Sequence, residues 1–220
     1  MMAEVIEGLE GVVCHIDDLL VWGRDQEEPD ARLHGVLQRL EKAGITLNVD
    51  KCELSTSEVV FLGHIITSVG IRPDPRKTDA IMEMKEPTNV GELRSFLGMV
   101  NQLGKFIPQL AETDKPLRDL LSKKNCWVWD VDQATAFTSL KRALSSPPVL
   151  AMYDPNRDTK VSADASSYGL GGVLLQKWGE EWRPVAYASR SLTPTENGMH
   201  KWKRRLLASH GPVDGSGISS

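Results

Sequence analysis

The 220-residue sequence has few cysteines, few aromatic residues, no long hydrophobic run and no large excess of one charge. Its three cysteines, Cys14, Cys52 and Cys126, are far apart and odd in number, which fits neither a disulfide framework nor a Cys-x-x-Cys metal clip. No run approaches the roughly 18 apolar residues of a membrane helix, and the acidic start MMAEVIEGLE does not resemble a signal peptide. These absences predict an intracellular protein, cytoplasmic or nuclear, with no signal peptide and no membrane partner.

Charge is unevenly distributed along the chain, although the formal net charge is only −4. Residues 1–60 contain 13 acidic and 5 basic residues, whereas residues 85–124 contain 7 basic and 5 acidic residues. The small net charge argues against indiscriminate binding to nucleic acid. One part of the chain could bind cations and another phosphates, or both could be ordinary solvated surfaces, and composition alone leaves both interpretations open.

The first third of the chain has the pattern of a small α+β unit. Two apolar runs, 12–16 and 19–22, flank two adjacent acidic residues, which predicts a tight β-hairpin with the acids at its tip. Residues 30–43 carry leucines at helical spacing and predict an amphipathic helix. The β-rich runs 45–47 and 59–67 predict further strands of the same small sheet.

The middle of the chain has the pattern of helices separated by polar breaks. Asp74, followed by a proline, is typical of a helix start, and Thr88 precedes a run with apolar residues on one face. Residues 115–121 predict a short helix, and the stretch CWVWD predicts a strand or a packed loop. Asp132 predicts the N-cap of one more helix, which ends before the pair Pro147–Pro148.

The last third predicts three strands and a helix. The strands are VSADAS, GLGGVLLQ and RPVAYASRS, separated by glycine, aspartate and serine turns. Thr193, Pro194 and Glu196 match an N-cap, a first-turn proline and a capping box, which predicts a helix through about Ser209. Three strands and one helix are half a domain, because nothing covers the other face of the sheet.

Asp17 and Asp18 are the strongest candidate metal ligands in the sequence. Two adjacent carboxylates at one turn repel each other and raise one pKa unless a cation intervenes. Mg²⁺ suits such a site because it takes one or two carboxylates together with substrate phosphates, and pairs of metal ions drive phosphoryl transfer. The alternative interpretation is that the two acids merely form the turn, where aspartate is a favoured residue.

The order of the motifs resembles a known family. HIDDLLVWG resembles the YxDD catalytic hairpin of reverse transcriptases, and the segments after it are similar to the Pol polyprotein of Ty3/Gypsy-type LTR retrotransposons. KAGITLNVDKCEL resembles the segment after the hairpin, VVFLGHIIT the primer grip and SVGIRPDPRKTDAI the start of the thumb. The run from NVGELRSFLG to DKPLRDLL is similar to the thumb and the region C-terminal to it, and CWVWD begins a likeness to the connection. VSADASSYGLGGVLLQ and then RPVAYASRS resemble the start of an RNase H domain.

The resemblance implies an α/β protein in four parts. They are an α+β palm fragment with hairpin and primer grip, a helical thumb and connection, the N-terminal half of an RNase H-like mixed-sheet domain, and a disordered tail, at residues 1–72, 73–150, 151–210 and 211–220. The implied function is Mg²⁺-dependent, RNA-directed DNA synthesis with an attached RNase H. The implied partners are an RNA/DNA template-primer duplex, a dNTP and other segments of the polyprotein.

The resemblance also assigns roles at the polymerase site. Asp17 matches the family's essential metal-binding aspartate, and Asp18 matches its more peripheral neighbour. His15 replaces the family's usual tyrosine and could still pack against the primer terminus. Lys51 matches a lysine placed near the incoming nucleotide, where it could protonate the leaving pyrophosphate. The alternative for Lys51 is an ordinary surface lysine.

The same resemblance implies two further sites. The primer grip, whose backbone holds the end of the growing strand, corresponds to Phe61, Leu62, Gly63 and His64. Without the family, Phe61 and Leu62 would be core residues and Gly63 a β-bulge. Asp164 matches the first carboxylate of the RNase H metal site, although an aspartate before a Ser-Ser turn is otherwise an unremarkable turn former.

The sequence departs from the family at both catalytic sites. The upstream palm aspartate has no counterpart, because only eleven residues precede Val12. Alignment of the last helix from Glu196 puts Arg205 where the family has its second RNase H carboxylate, and a guanidinium would repel Mg²⁺. The expectation is that this chain is inactive alone. The alternative function is a non-catalytic relic that binds nucleic acid or protein.

Overall fold

The computed structural model describes residues 2–23 and 27–197. These residues form two compact units, one ending at Phe61 and the other beginning at Leu62. Helices and strands are mixed in both units, which confirms the α/β class. Among the described helices, none is long and apolar enough to cross a bilayer. The predicted end of the last helix, Arg205 and the predicted tail lie outside the described residues.

The first unit is built around one hairpin and one helix. Its elements are α1 (Met2–Val5), β1 (Val12–His15), β2 (Asp18–Val21), α2 (Glu27–Lys42) and β3 (Glu58–Phe61). Strands β1 and β2 pair antiparallel, with Val12 opposite Val21, so the predicted hairpin is confirmed. Helix α2 buries Val36 and Leu40 against Ile6 and the apolar side of the hairpin. This packing determines which face of the hairpin is buried.

The predicted strand at 45–47 is wrong, because its backbone completes the C-terminus of α2 instead. Gly44 has a φ of 68°, and the Ile45 N–H donates to the Leu40 carbonyl at 2.9 Å. A left-handed glycine followed by this bond is the usual way in which a helix ends. A 3₁₀ turn, Val49–Lys51, comes further along the chain.

The second unit begins with strands and continues as a helical bundle. Its first elements are β4 (His64–Thr67), β5 (Gly70–Pro73), α3 (Pro75–Glu83), α4 (Val90–Gln102), α5 (Leu110–Thr113), α6 (Lys115–Asp119) and α7 (Val131–Ser145). Helices α3, α4 and α7 share one core that includes Ile81, Leu93, Phe96, Phe137 and Leu140. Each fully buried side chain of this size contributes about 1.5–3 kcal/mol. The segment CWVWD is a packed loop, in which two tryptophans contact this core.

The helix starts differ from the predictions at two of three positions. Asp74 caps α3 as predicted, with its carboxylate accepting from the backbone of the first turn. Asn89, not Thr88, caps α4, because its side chain accepts an N–H from that helix. Asp130, not Asp132, caps α7 through a capping box. In both cases the residue with an extended backbone became the cap, which sequence alone does not reveal.

The second unit ends in a three-stranded antiparallel sheet and a short helix. Its elements are β6 (Thr159–Ala165), β7 (Gly169–Trp178), β8 (Glu181–Ser191) and α8 (Pro194–Asn197), with β7 in the centre of the sheet. All three predicted strands are confirmed. The predicted capping box is also present, because the Thr193 N–H donates to the Glu196 carboxylate at 2.9 Å. A pair of backbone hydrogen bonds between Ile71 and Leu150 ties β5 to the segment that leads into this sheet.

Candidate metal and nucleic-acid site

The tip of the β1–β2 hairpin lies one residue earlier than predicted. The two turn residues are Ile16 and Asp17, whereas Asp18 is the first residue of β2 and pairs with His15. Ile16 has a φ of 56° and is 77% exposed. A β-branched residue is an outlier at positive φ and costs on the order of 1–3 kcal/mol there. The strain therefore lies directly beside the candidate metal ligand Asp17.

The two aspartates of the hairpin are exposed and available to a cation. Neither Asp17 nor Asp18 has a side-chain hydrogen bond to another described residue. Across residues 2–23 and 27–197, no group of three or more histidine, cysteine or acidic side chains could hold a metal ion. Two carboxylates suffice for Mg²⁺ only when water and substrate phosphates complete its octahedron. The described residues therefore fit a weak magnesium contact but not a two-metal centre, and they support no catalytic step.

The other two polymerase-site candidates in the first unit are also exposed. His15 lies at the end of β1, opposite Asp18 across the hairpin. Lys51 ends the 3₁₀ turn, whose N-cap Asn48 accepts the Asp50 N–H at 3.1 Å. Within the described part of the chain, no contact joins Lys51 to the hairpin carboxylates, so the role assigned to it from sequence stays a prediction.

The candidate primer-grip residues flank a tight turn. Phe61 ends β3 and is half-buried, and His64 begins β4. Leu62 and Gly63 have φ values of 52° and 72°, and two successive positive φ values are characteristic of a type I′ turn. Gly63 is therefore a turn residue and not the β-bulge that its sequence context alone suggested. Leu62 is 47% exposed, so its side chain is not core.

Two lysines that the sequence did not single out lie around His64. The amine of Lys77 lies so close to Gly63 that a Cβ there would overlap it. The His64 ring meets Phe106 edge-on at 5.5 Å between centroids, and the Lys105 Nζ lies 5.3 Å from the same Phe106 ring. Burial lowers the pKa of His64 to about 4, and the charges of Lys105 and Lys77 contribute to this lowering. Burial also lowers the pKa of Lys105. No spacing pattern in the sequence links these lysines to the turn.

Asp164 lies in a groove over one face of the C-terminal sheet. It pairs with Gly171 across β6 and β7, and its carboxylate accepts the Ala165 N–H at 2.9 Å. The groove has a volume of about 360 Å³ and runs between the sheet and residues 108–112. Glu112 lines the same groove. The described residues bring no further acid into this groove, which is fewer carboxylates than a two-metal hydrolase site requires.

Two families match parts of the chain. Residues 1–66 match the family described as reverse transcriptase (RNA-dependent DNA polymerase). Residues 129–213 match the family described as the RNase H-like domain found in reverse transcriptase. The first match includes the hairpin and the Leu62–Gly63 turn, and the second includes Asp164.

Curated relatives and solved structures agree with these matches. The Tf2-3 and Tf2-7 transposon polyproteins of Schizosaccharomyces pombe (strain 972 / ATCC 24843) are 36% and 35% identical over 198 residues. These alignments include 90% of this chain but only 15% of each relative. The foamy viral protease-reverse transcriptase dRH in complex with double-stranded DNA has a TM-score of 0.82 and 27% identity, over 94% of this chain and 36% of that one. The same type of protein in complex with an RNA/DNA hybrid has a TM-score of 0.82 and 26% identity, over 94% and 28%.

Proposed function

Because the chain belongs to the reverse transcriptases of Ty3/Gypsy-type retrotransposon polyproteins, we propose that it is a part of a Mg²⁺-dependent RNA-directed DNA polymerase with an attached RNase H. In this proposal residues 1–72 supply palm and primer grip, residues 73–150 thumb and connection, and residues 151–210 the first half of the RNase H-like domain. Its partners would be a template-primer duplex, a dNTP and other polyprotein segments, inside the cell.

The observation that carries the proposal is the hairpin β1–β2. It holds Asp17 and Asp18 exposed at one end, on strands whose other face packs against α2. Carboxylates on a rigid support are the ligands that Mg²⁺ takes together with phosphate oxygens. When bound, the ion would neutralise charge on the phosphates of an incoming nucleotide. The aspartates would orient it, and His15, which pairs with Asp18, would lie next to the primer end.

We further propose that the 220-residue chain does not extend primers alone. The described residues offer two carboxylates at the hairpin, one at Asp164, and no group of three that could hold a metal ion. In-line phosphoryl transfer at a two-metal centre needs more ligands than these. The function that remains open to the chain alone is to hold nucleic acid.

A primer-extension assay tests the catalytic part. The chain is incubated with an RNA template, a labelled DNA primer, dNTPs and Mg²⁺, beside an Asp17→Asn variant. We expect no product above the level of the variant. Extension that requires Mg²⁺ and is lost in Asp17→Asn would overturn the inactivity proposal and would establish Asp17 as a ligand.

Helix α4 favours the second candidate function, duplex binding without chemistry. Its inner face buries Leu93, Phe96, Leu97 and Val100 in the core. Its outer face presents Gly91, Arg94, Ser95 and Gly98, and the position of a Cβ on Gly98 is open space. A helix face that carries only small side chains and one arginine can approach a polyanionic duplex closely. Solved relatives in complex with double-stranded DNA and an RNA/DNA hybrid support this candidate.

Fluorescence anisotropy with labelled duplexes tests the binding candidate. We expect wild-type affinity to fall steeply with salt, by about 0.9 log units per log unit of salt for each neutralised phosphate. Gly98→Leu adds bulk to the outer face of α4 and should weaken binding about tenfold. Thr135→Leu, which adds bulk at an exposed position of α7, is the matched control and should bind like wild type. Equal affinity of the two variants would refute this use of α4.

A further inference from the structure

Three basic side chains of the second unit converge beside the Leu62–Gly63 turn. His64, Lys77 and Lys105 come from β4, α3 and the 3₁₀ turn after α4, and we call them the basic notch. Lys77 Nζ touches Gly63 and lies 3.4 Å from Gln102 Oε1. These residues are 41 positions apart in sequence at most, so only the fold brings them together.

Among the described residues, no carboxylate forms an ion pair with a lysine of the basic notch. The charge of Lys77 contributes to the lowered pKa of Asp74, but the Asp74 carboxylate itself pairs with Arg76 at 2.8 Å. Neither Lys77 nor Lys105 has a described carboxylate within 4.0 Å. Both lysines are partly buried, and the pKa of Lys105 is lowered because burial disfavours its charged form. Nδ1 of His64 is buried and has no hydrogen-bond partner. An unpaired buried polar atom costs about 1–3 kcal/mol and in native structures calls for an explanation such as a bound ion or water.

The charge of the basic notch selects an anion over a metal ion. Two ammonium groups near a neutral imidazole repel any cation, and charged hydrogen bonds from lysine are a common way of binding phosphate. The position beside the Leu62–Gly63 turn makes the notch continuous with the surface proposed to hold the primer end. A phosphodiester fits because it carries one negative charge and recurs along a strand.

We propose that Lys77 and Lys105, supported by the His64 ring, bind one backbone phosphate of the nucleic acid strand that lies over the Leu62–Gly63 turn. This inference rests on the proposed function, because it assumes that the second unit binds a duplex. Lys77 supplies the contact nearest the turn. Lys105 supplies a partly desolvated charge behind it, held in place by its contact with Phe106.

Methylphosphonate scanning tests the proposal on the full chain. Duplexes are made with one uncharged methylphosphonate at each primer position in turn, and their affinities are measured by anisotropy. Wild type should lose about tenfold in affinity at one position. Lys77→Gln and Lys105→Gln should each weaken binding of the unmodified duplex about tenfold and lower the salt slope by about 1. In both variants, a methylphosphonate at the position that is sensitive in wild type should cause no further loss of affinity.

Lys124→Gln is the matched control, because it removes the same charge from an exposed position of the same unit. If the lysines only stabilised the fold, Lys77→Gln and Lys105→Gln would weaken binding at every methylphosphonate position, including the one that is sensitive in wild type. If wild type binds duplex but both notch variants behave like Lys124→Gln, the inference is overturned and the proposed function stands.

A second measurement decides the case in which wild type fails to bind any duplex, which would overturn the binding part of the proposed function. Inorganic phosphate is titrated into the full chain while the His64 ring resonances are followed by NMR, with an equal ionic strength of chloride as reference. A saturable shift in wild type that is absent in Lys77→Gln supports the basic notch as an anion site. No shift overturns it.

Discussion

Replacement of Gly70 by alanine tests how β5, and with it the strand that carries His64, is fixed to the rest of the second unit. Gly70 has a φ of 145°, and a Cβ there would overlap the carbonyl oxygen of Leu150. That oxygen accepts the Ile71 N–H at 2.7 Å, and the Leu150 N–H donates to the Ile71 carbonyl at 2.9 Å. Because the clashing atom is backbone, alanine must displace this whole bridge.

The structure gives an approximate magnitude for the effect. Each of the two hydrogen bonds contributes about 0.5–1.5 kcal/mol. The unfavourable φ adds about 1–3 kcal/mol for any residue with a Cβ. Gly70→Ala should therefore lower the free energy of unfolding by about 2–6 kcal/mol. Gly179→Ala is the control, because its φ is 64° with open space around the Cβ position, and it should cost only about 1 kcal/mol.

Urea unfolding followed by tryptophan fluorescence measures the difference. Trp127 and Trp129 pack against the core of the second unit, so their emission reports on it. With a denaturant dependence of about 2 kcal/mol/M, Gly70→Ala should lower the midpoint by about 1–3 M and Gly179→Ala by about 0.5 M. Midpoints for the two variants within about 0.3 M of each other would refute the argument that β5 depends on this close approach.

Three further predictions concern the hairpin, the last described helix and the primer grip. Ile16→Asn should raise the melting temperature by an amount equivalent to about 1 kcal/mol in the free energy of unfolding, because asparagine tolerates positive φ. A melting temperature below that of wild type would contradict the strain inferred at Ile16. Hydrogen bonds from Arg190 and Thr193 hold the pKa of Glu196 at about 2, so its stabilisation is present above pH 4.5 and lost as pH falls towards 2. Glu196→Gln should therefore be about 1 kcal/mol less stable than wild type at pH 7 and equal to it near pH 2 by chemical denaturation. The pKa of His64 is lowered to about 4, so the unfolded chain takes up a proton at a higher pH than the folded chain does. The free energy of unfolding of wild type should therefore fall by about 2 kcal/mol between pH 6.5 and 4. His64→Phe should remove most of this fall, and a pH profile unchanged from wild type would refute the assignment to His64.

Local patterns predicted the elements whose signals lie within a few residues. The three C-terminal strands alternate regularly between turn residues, and Thr193 with Glu196 forms the predicted capping box. The prediction failed where two local preferences competed within the same few residues. Residues 45–47 are β-rich, yet the end of α2 uses the Ile45 N–H. The hairpin was predicted to turn at Asp17 and Asp18. It turns at Ile16 and Asp17 instead, because the strands pair with His15 opposite Asp18.

The candidate site was predictable in part, for a similar reason. Adjacent acids such as Asp17 and Asp18 are visible in one dimension, and the family resemblance gave them a role. Lys77 and Lys105 are not visible in this way, because neither is near His64 in sequence and lysines are common on ordinary surfaces. Their significance lies in partial burial and in the absence of an ion pair with any described carboxylate. Those are properties of packing, which no single-sequence pattern encodes.

The distribution of charge separates holding nucleic acid from acting on it. Binding a phosphate backbone is nearly additive, so each lysine or arginine contributes whether or not the others are present. A two-metal centre is cooperative, because a carboxylate contributes little until the remaining ligands fix the ion. Among the described residues, the basic notch is the arrangement that we propose for the first role, and Asp17, Asp18 and Asp164 are too few carboxylates for the second. Asp17→Asn should therefore leave duplex affinity unchanged while Lys77→Gln weakens it, and the reverse result would mean that the hairpin holds the strand directly.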